Sequence, residues 1–252
     1  MMERFIRRVY NFYEKLRNAI IIGKDKKFIR SLKGKHKDKR CFIVGNGPSL
    51  SIEDLEKIKG EITFGTHRIY EIFDKTSWRP DYYLAQDYKL ICVSRERIEN
   101  INVKNKLIAI PGRMPVIRIK GAKYIRLFFK EFYPKLPKFA ENIEDGLYEG
   151  YTVTYMCLQV AAYMGFKEIY LLGVDHSYST EMDKNGSLIR KPDIKDHFSE
   201  NDKVTNIPQL YKSTLAYEMA KKSAEKLGIK IYNVTRGGAL EIFERRKLED
   251  VL

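Results

Sequence analysis

The sequence predicts an α/β fold, a mostly parallel sheet with helices on both faces, and two observations lead there. Short apolar runs recur along the chain, and several are flanked by helical patterns, the alternation that sets parallel strands between covering helices. Apolar residues make up 44% of the 252, enough to bury a real core and too many for wholesale disorder. The longest apolar runs are a few residues, too short to span a bilayer. Three scattered cysteines, Cys41, Cys92 and Cys157, fit a reducing cytosol better than a disulfide scaffold or a zinc cluster.

In chain order, the first element is a basic arm, residues 1–40. It holds 14 Lys/Arg against 4 Asp/Glu, so +10 of the formal +14 lies there and the body, 41–252, is nearly balanced. Phe5, Val9, Phe12, Leu16 and Ile20 recur at helical steps, widened by Ile6 and Tyr13, while Arg7, Arg8, Lys15 and Arg17 lie mostly off that stripe. The N-terminus carries acids as well as bases and lacks a long apolar stretch, so it does not read as a secretory signal. Two readings of the arm stand side by side: a helix lying on an anionic membrane surface, or one packed on the body or on another subunit. Nucleic acid is disfavoured, because no recognised binding motif accompanies the charge.

The body then reads as strands at Cys41–Val44, Ile62–Phe64, Tyr82–Leu84, Leu107–Ile110, Tyr124–Phe128, Ile169–Leu172 and Ile229–Tyr232. Between them, Ser51–Ile58 is a short amphipathic helix, Thr152–Met164 is apolar on most faces, and Leu210–Leu227 keeps helical spacing up to Gly228. Residues 179–208 are polar, contain Asn185-Gly186, and run too long for an ordinary connection, so they read as a lid or as disorder.

Four segments carry possible chemistry. Gly45-Asn46-Gly47-Pro48-Ser49-Leu50 follows a strand and precedes a helix; its glycines and free amides suit a phosphate, and a tight turn explains them equally. Ser49 or Ser51 can cap the helix. Gly173-Val174-Asp175-His176-Ser177-Tyr178 sits at a strand's carboxyl end, where open α/β sheets bind ligands. Asp196-His197-Phe198 offers a base titrating near neutrality. Asn233 to Gly238 brings Arg236 and two glycines, an anion loop or a helix-cap turn. No spacing resembles a zinc site or a Gly-x-Ser-x-Gly elbow.

The first motif resembles the opening of bacterial lipooligosaccharide sialyltransferases, glycosyltransferase family 42. Thr152 to Cys157 and Gly165 to Asp175 are similar to that family's central helix and following strand. A closer similarity is to a sister group from polysaccharide loci known as 6-hydroxymethylpterin diphosphokinase (MptE-like). It matches at Gly173–His176, at His197-Phe198 and at Tyr232–Arg245. The resemblance implies a Rossmann-like nucleotide-binding sheet with a mobile lid and inverting, metal-free transfer from a CMP-activated, sialic-acid-like sugar to a glycan or glycolipid acceptor. It implies that Gly45, Asn46, Gly47, Ser49 and Thr152 hold the donor, the phosphate meeting the Gly45–Ser49 amides. His67 and Gln86 stand where the family places donor-contacting asparagines. His197 falls near the family's base. Tyr178 is offset by one from a leaving-group tyrosine, a role open to His176, Arg190 or Arg236, and Asp175 belongs to the binding set. No cofactor is implied.

The expected setting is cytoplasmic, peripheral on the inner face of the cell membrane through residues 1–40, as a homo-oligomer. Two rivals remain. An ATP- and magnesium-dependent pterin diphosphokinase would draw on carboxylates such as Asp87 and Asp175. A non-catalytic nucleotide-sugar-binding scaffold would need no turnover.

Overall fold

The computed structural model describes residues 12, 16, 19, 20, 22–111, 114–198 and 206–252. The strands are β1 (Arg40–Val44), β2 (Thr63–Thr66), β3 (Tyr82–Ala85), β4 (Asn105–Pro111), β5 (Ala122–Phe128), β6 (Leu147–Tyr148), β7 (Glu168–Leu172), β8 (Thr180–Met182), β9 (Leu188–Arg190), β10 (Lys230–Asn233) and β11 (Glu244–Arg245). Nine of them form one sheet in the order β11-β10-β7-β1-β2-β3-β4-β5-β6, every neighbouring pair parallel. All seven strands read from the sequence are present. The two-residue strands β6 and β11 were not legible, because runs so short carry no period.

The sheet is buried on both faces, which is why its strands read as continuous apolar runs. Along β1, Cys41 and Ile43 enter one core and Phe42 and Val44 the other. In register across three strands, Phe42, Tyr170 and Tyr232 stack at centroid distances of 5.0 and 5.4 Å. Each large side chain buried in this way contributes about 1.5–3 kcal/mol.

The helices are α1 (residues 22–31), α2 (Ile52–Lys57), α3 (Tyr88–Val93), α4 (Arg95–Asn100), α5 (Val153–Met164) and α6 (Leu210–Leu227). α5 starts at the Thr152 N-cap and stops at Gly165, φ 85°, a left-handed conformation that suits glycine. Nearly every α5 side chain is buried, because the helix lies between the sheet and α6. α6 presents Ala216, Ala220 and Ala224 inward and ends at Gly228, φ 66°.

The boundary expected at residue 40 lies earlier in the structure. Ile29 and Leu32 are buried in the core under the sheet. Asp25 accepts hydrogen bonds from Lys123 Nζ and Tyr124 N, each at 2.9 Å. His36 stacks on Phe166 at 4.9 Å and pairs with the Tyr82 hydroxyl at 2.9 Å. The lysine-rich composition hides these few apolar anchors, so 22–40 reads as a linker and folds as part of the body. Of the amphipathic stripe, Phe12, Leu16 and Ile20 are exposed; Phe5, Ile6, Val9 and Tyr13 lie outside the described residues. Among the described residues, no helix is long and apolar enough to cross a membrane.

Candidate functional site

The sheet reverses its strand order between β1 and β7, since the chain builds outward from β1 through β2 to β6 and later adds β7 on the other side. Ligands of open α/β sheets bind outside the carboxyl ends at such a point. A cleft of about 830 Å³ opens there, its walls drawn from the loops after β1, β2, β3 and β7, the start of α5 and the face of α6.

The loop after β1 is built against the loop after β7. A Cβ on Gly45 would lie 2.3 Å from Gly173 O, and one on Gly47 would lie 1.8 Å from Asp175 Oδ2. The amides of Gly45, Gly47 and Ser49 donate to Leu172 O, Gly173 O and Asp175 Oδ1. These amides, expected to meet a phosphate, are therefore already committed. The glycines are required here by the protein's own backbone and by Asp175. Burial raises the Asp175 carboxyl above the usual range, opposed by its bonds from Ser49. Ser51, rather than Ser49, caps α2, in a reciprocal capping box with Asp54.

The Asn233–Arg245 motif braces the same loop from the far side. Thr235 Oγ1 accepts from Val174 N at 3.0 Å, and Ala239 N donates to Asp175 O at 2.7 Å. Arg245 closes the turn by donating to the carbonyls of Thr235, Gly237 and Gly238. Arg236 turns away from the cleft and pairs with the buried Asp54 of α2.

On the opposite wall, Asn46 donates its amide to Thr66 O and Oγ1, which leaves its Oδ1 buried without a partner among the described residues. Gln86 Oε1, buried at the end of β3, is in the same condition. Buried acceptors are almost always paired, so two orphaned carbonyls lining one cleft are free to accept from N–H or O–H groups that enter it. His67 lies between them in the lining; its Nε2 accepts from Gln86 N at 3.4 Å. Arg68 and Lys89 are the lysine or arginine side chains of the cleft lining among the described residues.

His176 is half-buried beside Tyr217, and its Nε2 pairs with Thr214 Oγ1 at 2.9 Å. Burial holds its imidazole down at about 4, so it is neutral at pH 7 and offers a leaving phosphate no positive charge. Tyr178 and His197 meet edge to face at 6.2 Å at the cleft. Thr152 caps α5 and pairs with the Tyr217 hydroxyl at 3.3 Å. Within the expected lid, residues 180–190 form the β8–β9 hairpin around Asn185-Gly186, where Asp183 Oδ1 accepts from Asn185 N and Ser187 N; residues 199–205 of it lie outside the described residues. It is tied to the cleft rim by Phe198 N to Asn46 O and by Asn206 to Asp87. Arg190 lies exposed on β9, outside the cleft lining.

Among the described residues, four other than glycine have positive φ, and three of them line the cleft: His67 (45°), Tyr151 (57°) and His176 (53°). Such conformations persist only where the surroundings enforce them and cluster at functional sites. The cleft thus gathers Gly45, Asn46, Gly47, His67, Gln86, Thr152, Asp175, His176, Tyr178 and His197. Ser49 stands behind it, bonded to Asp175, and Arg236 lies outside it. The sequence reading missed Glu149, Tyr151 and Tyr217, whose wall forms only when α6 packs beside α5.

This is a parallel α/β domain with a crevice at its switch point. The chain belongs to the 6-hydroxymethylpterin diphosphokinase MptE-like family, whose profile matches residues 10–181. Its fold is similar to that of the MAf glycosyltransferase from Magnetospirillum magneticum AMB-1, with a TM-score of 0.52 at 16% identity over 91% of this chain. The chain spans 39% of that structure's length, and the likeness is one of fold. No curated protein matches the chain.

Proposed function

We propose that the chain is a glycosyltransferase acting on a nucleotide-activated sugar, with a CMP-linked, sialic-acid-like donor and a surface glycan or glycolipid acceptor. The observation that carries the reading is the pair of orphaned acceptors, Asn46 Oδ1 and Gln86 Oε1, in the switch-point cleft. A cytidine nucleotide offers the matching donors in its ribose hydroxyls and exocyclic amine. Since the loop amides are committed, the phosphate is met instead by Arg68 and Lys89 on the same wall, with Tyr178 and His197 beside it. The transfer inverts the anomeric centre and uses no metal. The exposed Phe12, Leu16 and Ile20, on a strongly basic segment, suit peripheral contact with anionic lipid at the inner face of the cell membrane.

The family's description supports a second reading, an ATP- and magnesium-dependent pterin diphosphokinase. One assay separates the two. Nucleotide release is followed from CMP-, UDP- and GDP-sugars with EDTA or magnesium, beside ATP with magnesium and hydroxymethylpterin. CMP release that persists in EDTA supports the transferase. AMP release that needs both pterin and magnesium overturns it.

A further inference from the structure

Four carboxylates of the described residues line the cleft: Asp87, Glu149, Asp175 and Asp196. Three have both oxygens engaged. Asp175 accepts the amide and hydroxyl of Ser49, and Asp196 the amide and hydroxyl of Ser179. Asp87 caps α3 through Leu90 N and takes the side-chain amide of Asn206. Glu149 is different. Its Oε1 accepts from Tyr151 N at 2.6 Å, and its Oε2 has no hydrogen-bond partner among the described residues.

The charged and titratable groups packed around Glu149 are Lys212 of α6, Glu131, and Tyr151 and Tyr155 at the start of α5. Lys212 is not its counter-ion. The ammonium donates to Glu131 Oε2 at 2.6 Å and to the Tyr151 hydroxyl at 3.0 Å. Glu131 consequently sits at about 2, held there first by its bond from Lys212. Burial pushes Glu149 up to about 7, against the smaller opposing effects of the Tyr151 amide and Lys212. Tyr151, itself in a left-handed conformation, holds the carboxyl in the wall through its N–H on Oε1.

We infer that Glu149 takes the proton from the acceptor hydroxyl in this cleft. The inference rests on the glycosyl-transfer reading and assigns to Glu149 the role that the family resemblance gives to His197. In the step, the acceptor oxygen bonds to the anomeric carbon, and the bond from that carbon to the nucleotide phosphate breaks with its electron pair going to phosphate. The hydroxyl proton passes to Glu149 Oε2. A base whose proton affinity lies near the working pH serves such a transfer best.

The test is CMP release from a CMP-sugar between pH 5 and 9, with the full chain, in wild type, Glu149→Gln and His197→Gln. The expected result for Glu149→Gln is a rate ~10²–10⁴-fold lower, without the wild type's fall below pH 7, at unchanged CMP affinity and melting temperature. His197→Gln keeps that fall. Infrared difference spectra supply a readout independent of turnover: a protonated carboxyl band titrating near pH 7 in wild type and missing in Glu149→Gln. A wild-type chain that releases CMP while Glu149→Gln matches its rate and pH profile overturns this inference alone, as does the lack of the titrating band. A wild-type chain that consumes no nucleotide sugar overturns the glycosyl-transfer reading and this inference with it.

Discussion

The Ser49 hydroxyl donates to the Asp175 carboxylate at 2.7 Å, across the line where the sheet reverses its strand order. With the Ser49 amide on the other oxygen, Asp175 fills the turn after β1 with the protein's own negative charge. The two loops that frame the cleft are thereby locked to each other, and Gly47 has no side chain because Asp175 occupies that space.

Gly47→Ala sets a methyl group against Asp175 Oδ2 and near Gly173 O. It should destabilise the fold by about 1–3 kcal/mol, as overpacking does. In an Asp175→Ala background the same change should cost less, because the side chain it meets is gone. Urea unfolding of the four proteins in the cycle measures this. Additive losses would disprove the contact.

Arg236→Ala removes the cation paired with Asp54, whose side chain is only 2% exposed. Leaving that buried carboxylate without its counter-ion, with only the Ser51 amide among the described residues still donating to it, should cost about 1–3 kcal/mol. Affinity for CMP should not change, because Arg236 lies outside the cleft. A clear loss of CMP affinity in a folded Arg236→Ala protein would return Arg236 to the site.

His176 has a folded value of about 4 against an ordinary 6.5. Between these values the unfolded chain binds the proton more readily. Its contribution to stability is therefore full above pH 6.5 and is lost as pH falls toward 4, at up to about 1.4 kcal/mol per pH unit. His176→Gln, which keeps a partner for Thr214, should flatten that part of the stability profile. Identical slopes for wild type and variant between pH 6.5 and 4.5 would contradict the half-buried, neutral imidazole.

Leu32 is buried beneath the sheet although it sits in the lysine-rich stretch. Leu32→Ala should cost about 2–5 kcal/mol, as a core truncation does. A loss below 0.5 kcal/mol, the range of surface changes, would restore residues 22–40 to a separate arm.

What the sequence made legible follows from how each feature is encoded. The strand β1 announces itself because four consecutive residues enter two cores, and α6 because Ala216, Ala220 and Ala224 keep one face up to Gly228. The loops after β1 and β7 that frame the cleft were legible because they follow strands at their carboxyl ends. The Glu149 wall was not, since Glu149 and Tyr217 come together only through the packing of α6 on α5. Nor were the partners of the Gly45, Gly47 and Ser49 amides, because Leu172, Gly173 and Asp175 lie far along the chain and reach them only when β7 pairs with β1. Arg236 was misread toward the cleft for the same reason: its partner, Asp54, is 182 residues away.

The central claim is that the switch-point cleft holds a cytidine nucleotide through its orphaned carbonyls. Calorimetric titration of CMP into the wild type and into Gln86→Leu, with and without magnesium, tests it most directly. The account predicts magnesium-independent CMP binding that weakens about tenfold in Gln86→Leu, the loss of roughly 1.4 kcal/mol expected for one hydrogen bond. Absence of CMP binding, or binding of ATP alone and only with magnesium, would contradict it.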